Sequence, residues 1–316
     1  MARSIMINKG TRGVYAIAPT PFLPEGGLDI ASIRRMTEFY LERKVDGITL
    51  LGILGEAQKL EYEESLAVVR EVIAAAPGLP VVVGVSAPGF ATMRRLAGEA
   101  MAAGAAGVMI TPPVAARTDD QIAIYIRQAV AQIGADVPVV LQDHPTATGV
   151  VMAATVIRRV VEENPSIAML KHEDWPGLEK ITALRAWQEA GEMRPISILC
   201  GNGALFLDCE MARGADGAMT GYAFPELLIR VVALALKDRA AAQDLFDLHL
   251  PLLRYEHQSG VGLAVRKYVL MRRSAISHDS LRIPGPTLSP QAKAEIDFLL
   301  RRLIERDPVC ANSAAA

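Results

Sequence analysis

Ala103–Thr111 reads AGAAGVMIT and Arg213–Gly221 reads RGADGAMTG. Both stretches end a helical segment on a glycine, pass a second glycine, and enter a short apolar run. Working outward, the same unit recurs from Gly13 to about Phe224: a β-type run, a turn, then a longer amphipathic stretch. The runs are GVYAIAP from Gly13, GITLL at 47–51, PVVVGVS at 80–86, GVMIT at 107–111, PVVLQ at 138–142, IAMLK at 167–171, ISILC at 196–200 and GAMTG at 217–221. They are almost continuously apolar, as expected of parallel strands buried on both faces. Helical patterns between them imply βαβ units. A doubly wound open sheet is the competing arrangement. Eight units in succession, with one of them repeated a half-chain apart, favour an α/β fold of the (β/α)₈ TIM-barrel type. After the eighth run, helical patterns at 239–252, 261–273 and 289–305 form a C-terminal helical extension outside the barrel. Residues 1–225 are therefore assigned to the barrel strands and the catalytic mouth, and 226–316 to the last barrel helix and the extension, in the same structural unit.

The bulk composition narrows the function. A net charge of −2 offers no electrostatic footprint for nucleic acid or an anionic membrane surface. No apolar run reaches the roughly 20 residues of a membrane span. The opening MARSIMINKGTRG lacks the apolar core of a signal peptide, and the closing ANSAAA reads as a frayed tail. Cys200, Cys209 and Cys310 are odd in number and show no CxxC spacing, which fits a reducing cytoplasm better than a disulfide framework. The histidines are dispersed and no acidic cluster calls for a metal, so neither a metal nor a cofactor is expected.

In such barrels the chemistry gathers at the C-terminal ends of the strands. Lys171 closes the sixth run after four apolar residues, Ile167 to Leu170. One reading is an amine that reaches solvent or pairs with Glu173 or Asp174. The other is a nucleophile, since an amine desolvated by apolar surroundings is freer to attack a ketone and form an imine. The position at the mouth favours the second. Gly52–Glu56, GILGE, follows the second run, and its glycines and successive N–H groups suit a carboxylate or a phosphate. It also suits a plain tight turn, and Gly201–Gly203 has the same ambiguity.

Taken in order, GILGE, ITPP after run four, LQDHPTATG after run five, LK closing run six and GNGALF after run seven resemble the dihydrodipicolinate synthase/N-acetylneuraminate lyase family. TPF near the start and the helical extension agree, so the resemblance covers nearly the whole chain. It implies a Schiff-base lyase acting on pyruvate or a related 2-oxo acid, as a homodimer or homotetramer. It implies that Lys171 forms the imine and that Gly52, Ile53, Leu54 and Gly55 receive the carboxylate. Thr111, Gly201, Asn202 and Gly221 fall at the other mouth positions expected to meet substrate.

The departures redirect the reading. The family's two hydroxyl residues after strand two are Ile53 and Leu54 here. Its acid/base tyrosine aligns with Gln142, its tyrosine pair after strand four with Pro113-Val114, and the synthases' second-substrate arginine with Ala147. These changes argue against the lysine-biosynthetic reaction. His144, two residues beyond Gln142, is a candidate proton carrier if the extended backbone persists, or else a loop histidine bonded to backbone. Glu173 shares parity with Lys171 and reads as a base or, on balance, a solvated carboxylate. Asp143 and His172 alternate outward, and Tyr222 either offers a hydroxyl or packs under the C-terminal helices. The expectation is an aldolase or dehydratase for a 2-oxo acid. The alternative is a catalytically reduced relative that binds a 2-oxo acid or serves a structural role.

Overall fold

The structure is a computed structural model that describes residues 5–175 and 177–311. The first four residues, the last five and Pro176 lie outside the described residues, and with them part of the expected leader-free start and frayed tail. Eight parallel strands close into a barrel: β1 (Gly13–Ile17), β2 (Gly47–Leu50), β3 (Val81–Gly84), β4 (Gly107–Ile110), β5 (Val139–Asp143), β6 (Ile167–His172), β7 (Ser197–Cys200) and β8 (Gly217–Thr220). Helices α1 (Ile30–Glu42), α2 (Tyr62–Ala75), α3 (Phe90–Ala103), α4 (Asp119–Ile133), α5 (Pro145–Thr148), α6 (Ala154–Glu163), α7 (Leu178–Glu189), α8 (Leu207–Ala212) and α9 (Pro225–Ala235) surround it. The helix starts follow local chemistry. Asp29 accepts the Ser32 N–H to cap α1, and Thr118 with Gln121 forms a reciprocal capping box on α4.

The two faces of the strands feed two apolar layers. Val14, Ile48, Val83, Ile110, Leu141 and Ile198 pack outward beneath the helices. Tyr15, Ile17, Val82, Met109, Val140, Met169, Leu199 and Met219 fill the barrel interior, closed below by Ile7. Tyr15 fits because its register partner is Gly47, where a Cβ would sit 2.3 Å from the Tyr15 ring.

One irregularity places the chemistry. Val139 pairs with Ile167 but Val140 pairs with Met169, so Ala168 is an extra residue in β6. Ile167 accordingly faces the helices while Met169 faces the interior. A bulge of this kind re-aims every following side chain. It sets Lys171 beside Gln142, both directed inward, whereas strict alternation from Ile167 would have sent Lys171 to the helical side. The strand also runs one residue past Lys171, to His172.

Beyond the barrel come α10 (Arg239–Glu256), α11 (Gly262–Arg272), α12 (Pro290–Arg306) and α13 (Pro308–Ala311). α10 continues past Pro251, further than its sequence pattern indicates, and carries Glu256 to the mouth. The extension is therefore more than an outer appendage. Residues from Glu256 to Arg266 form one wall of the cavity above Lys171.

Candidate active site

A cavity of about 580 Å³ opens at the C-terminal end of the strands. Its wall includes Lys171 from β6 and Glu173 just beyond it, Gln142 from β5 and His144 at the junction of β5 and α5, and Gly52, Ile53 and Leu54 from the loop after β2. A second cavity, of about 350 Å³, lies at the opposite end of the barrel around Ile7, Pro138 and Arg194, away from Lys171.

Lys171 is 4% exposed, too buried to reach bulk solvent, and its Nζ lies 2.8 Å from Glu173 Oε1. That oxygen also accepts the Gln142 Nε2–H at 2.7 Å and stands 3.6 Å from His144 Nδ1. The other carboxylate oxygen accepts the Asn202 backbone N–H at 3.3 Å. Glu173, which reads from sequence as a solvated carboxylate, is thus the centre of the cluster and only 6% exposed. Burial raises its carboxyl, but the Lys171 charge, His144 and the bonds from Lys171 and Gln142 together hold it below the ordinary value. Desolvation pushes His144 the other way, below an ordinary imidazole, with Lys171 reinforcing and Glu173 opposing that shift. His144 is not on extended backbone: it caps the short helix α5, and its buried Nδ1 makes no hydrogen bond. A carboxylate and a neutral imidazole therefore stand next to the amine. That set can accept, hold and return a proton.

Of the glycines expected to touch ligand, Gly52 lines the cavity, whereas Gly55, Gly201 and Gly221 are not on its wall. A Cβ at Gly201 would lie 2.2 Å from Glu173 Cγ, so Gly201 makes room for the carboxylate. Asn202 lines the cavity and holds Asp174 through Nδ2 as well as Glu173 through its N–H. Thr111 is absent from the cavity wall: its hydroxyl donates to the Gln142 carbonyl at 3.3 Å and its N–H to Ser86 Oγ at 3.0 Å, which secures the β4 and β5 ends instead. Gly55 lies beneath the wall, its carbonyl accepting the Thr20 hydroxyl at 2.6 Å. Val114 is 65% exposed and, with Pro113, lies off the cavity wall.

Ile53–Gly55 is a single 3₁₀ turn. The Gly55 and Glu56 N–H groups bond Gly52 and Ile53 carbonyls, whereas the Ile53 and Leu54 N–H groups occupy the first turn, where no intrahelical acceptor exists. Leu51 and Glu56 flank the turn with φ of 55° and 52°, a conformation that side-chain-bearing residues adopt at a cost. Glu56 is held there by Lys267 Nζ at 2.6 Å, Lys59 Nζ at 2.8 Å and the Arg282 N–H at 3.1 Å. Sequence reading missed this anchoring because Lys267 belongs to the remote helix α11.

The outward residues form a separate cluster. Asp143 accepts Lys180 Nζ at 2.7 Å, and His172 lies fully buried beside it. Tyr222 packs under the C-terminal helices with its Oη 3.1 Å from His249 Nδ1, rather than offering a hydroxyl to the cavity. His249, Asp307 and Cys310 could together supply ligand atoms, but Arg230 already donates to Asp307 at 2.6 Å, so a cation there would meet a guanidinium. Among the described residues Cys200, Cys209 and Cys310 form no disulfide. Among the described residues no helix is long and apolar enough to cross a membrane.

Comparison with known proteins agrees with this architecture. Residues 10–302 match the model of the dihydrodipicolinate synthetase family. A crystal structure of dihydrodipicolinate synthase from Rhodopseudomonas palustris is 57% identical, with a TM-score of 0.93, covering 95% of this chain and 100% of that one. L-2-keto-3-deoxyarabonate dehydratase from Azospirillum brasilense is 29% identical over 300 residues, covering 92% of this chain and 94% of the relative. The probable 2-dehydro-3-deoxy-D-pentonate aldolase YjhH of Escherichia coli K12 is 28% identical over 281 residues, 82% of this chain and 90% of the relative. YagE of E. coli K12, solved in complex with pyruvate, has a TM-score of 0.83 at 21% identity over 92% of this chain and 98% of its own, a likeness of fold. The chain is a TIM-barrel member of the dihydrodipicolinate synthetase family, whose named relatives include synthases, a dehydratase and an aldolase.

Proposed function

We propose that this protein is a Schiff-base-forming lyase, an aldolase or dehydratase, acting on a 2-oxo acid through Lys171. The observation that carries the reading is the Lys171–Glu173–Gln142–His144 cluster on the wall of one cavity, its first three members buried and His144 half-buried. Lys171 Nζ attacks the C2 ketone, and the ketone oxygen leaves as water, giving an iminium. That iminium draws electrons from the neighbouring C3. In aldol cleavage the C3–C4 bond breaks, the C4 hydroxyl gives up its proton and an aldehyde departs. In dehydration the C3 proton is lost and the C4 hydroxyl leaves as water. Glu173 is the proton acceptor nearest Nζ, His144 relays from it, and Gln142 orients the carboxylate by donating to it. These groups stand in for the tyrosine missing at position 142. The first-turn Ile53 and Leu54 N–H groups receive the substrate carboxylate. No metal or other cofactor enters the scheme.

Ile17, Leu54, Trp175 and Leu263 give the cavity apolar wall, which supports a 2-oxo acid with an alkyl or aryl tail over a sugar acid. The relatives named for deoxy-sugar acids supply the competing substrates for the test. Product release would be measured for 2-keto-3-deoxygluconate and for alkyl and aryl 4-hydroxy-2-oxo acids. Faster turnover of the apolar set is expected. Turnover of the sugar acid alone, at ordinary enzyme rates, would refute the substrate assignment. Imine formation without α-proton exchange in deuterated water would instead place the chain among catalytically reduced binders, the reading that Gln142 favours.

A further inference from the structure

The loss of both hydroxyls after strand two leaves the carboxylate end of the cavity short of donors. α11 delivers a guanidinium to that same place. Arg266 lines the cavity, is 4% exposed, and gives its Nε–H to Glu256 Oε1 at 2.6 Å. Its Nη1 is buried and makes no hydrogen bond. A buried charged donor left unmade is costly, so a native protein that keeps one has a use for it. Gly221, at the end of β8, leaves the room: a Cβ there would lie 2.4 Å from Arg266 Nη1 and 3.0 Å from Leu54 Cδ1. Nη1 thus comes down beside Leu54, the residue whose first-turn N–H is available. The next residue, Lys267, bonds Glu56 at the far end of the same turn, so one helix fixes both the guanidinium and the loop.

We propose that Arg266 is the carboxylate-recognising residue of this cavity, receiving the substrate's C1 carboxylate jointly with the Ile53 and Leu54 N–H groups. This rests on the Schiff-base reading and deepens it: the ligand is a 2-oxo acid whose charge is read by an arginine of the C-terminal extension. Arginine suits the task, because its planar fork stays charged when buried and can still offer N–H groups after Glu256 takes Nε. Glu256 balances the guanidinium. Burial pushes the Glu256 carboxyl above its ordinary value, with Arg266 pulling it back.

The test compares borohydride trapping of pyruvate with that of its uncharged methyl ester, reading the concentration that gives half-maximal adduct on Lys171. In Arg266→Gln the pyruvate concentration is expected to rise about 10- to 100-fold, the worth of a charge-assisted hydrogen bond. The methyl ester value should stay within about threefold. Arg266→Lys should retain part of the preference for pyruvate. Because Arg266→Gln leaves Glu256 buried without its partner, the pair Arg266→Met with Glu256→Gln is measured beside it, and the same loss of discrimination is expected. Equal effects on both ligands, or none on either, would overturn the assignment and leave Arg266 as packing. If the unaltered protein gives no adduct with either ligand, the Schiff-base reading fails on its own. Calorimetric binding of pyruvate to the unaltered protein and Arg266→Gln then decides: a tenfold weaker affinity supports the role and equal affinity refutes it.

Discussion

Replacing Glu173 by glutamine separates bond formation from proton movement at Lys171. Glutamine keeps the shape and can still accept the Lys171 and Gln142 hydrogen bonds that now measure 2.8 and 2.7 Å. It removes the negative charge and the basic oxygen. At 2.8 Å and an effective dielectric of about 20, the gross attraction in the pair is about 6 kcal/mol, most of it offset by the desolvation of both ions. Breaking a buried pair typically costs roughly 3–5 kcal/mol, and the retained hydrogen bonds place this variant near the lower figure. The protein should stay folded with a lower melting temperature. Trapping needs only an amine and a ketone, so adduct on Lys171 should persist. Exchange of α-protons, and turnover, should fall by about 10²- to 10⁴-fold, the usual contribution of a positioned acid/base group. The assay is deuterium incorporation into pyruvate followed by mass spectrometry, run beside borohydride trapping. Unchanged exchange would refute Glu173 as the proton acceptor. Loss of adduct in parallel with exchange would mean that the carboxylate only holds the lysine in place.

Two further outcomes follow from the same geometry. In Gly201→Ala the new Cβ would meet Glu173 Cγ at 2.2 Å, so the carboxylate must move; α-proton exchange should drop at least tenfold with little change in trapping, and normal exchange would show that Glu173 has another productive position. Glu210, on α8 against the buried Cys200, has its carboxyl raised to about 8 by burial, with the Cys200 bond opposing, and its Oε2 has no hydrogen-bond partner. A folded value above the unfolded one stabilises the fold at low pH and loses that stabilisation as pH rises from about 4.5 through about 8. Glu210→Gln should therefore be more stable than the unaltered protein at pH 8 by on the order of 1–3 kcal/mol, converging at pH 5. Parallel melting curves across that range would contradict the assignment.

The barrel was legible because its strands carry a simple physical demand: burial on both faces gives unbroken apolar runs, and the intervening helices declare themselves as longer amphipathic stretches. Lys171 stood out for the same reason, as a charge ending an apolar run. Glu173 did not, because H-E-D looks the same in sequence whether its carboxylates face water or a barrel mouth. Only the bulge at Ala168, which no local propensity announces, aims Lys171 and Glu173 inward together. Arg266 and Lys267 were hidden for a different reason. They sit 95 or more residues from Lys171 in the chain, on a helix that is buried continuously from Ala264 to Leu270 and whose pattern gives no sign of which barrel end it covers.

The most direct measurement is borohydride reduction of the protein with pyruvate, with the modified peptide identified by mass spectrometry. The account predicts a single reduced adduct on Lys171, abolished in Lys171→Ala. An adduct on another lysine, or none in folded protein across a panel of 2-oxo acids, would contradict it.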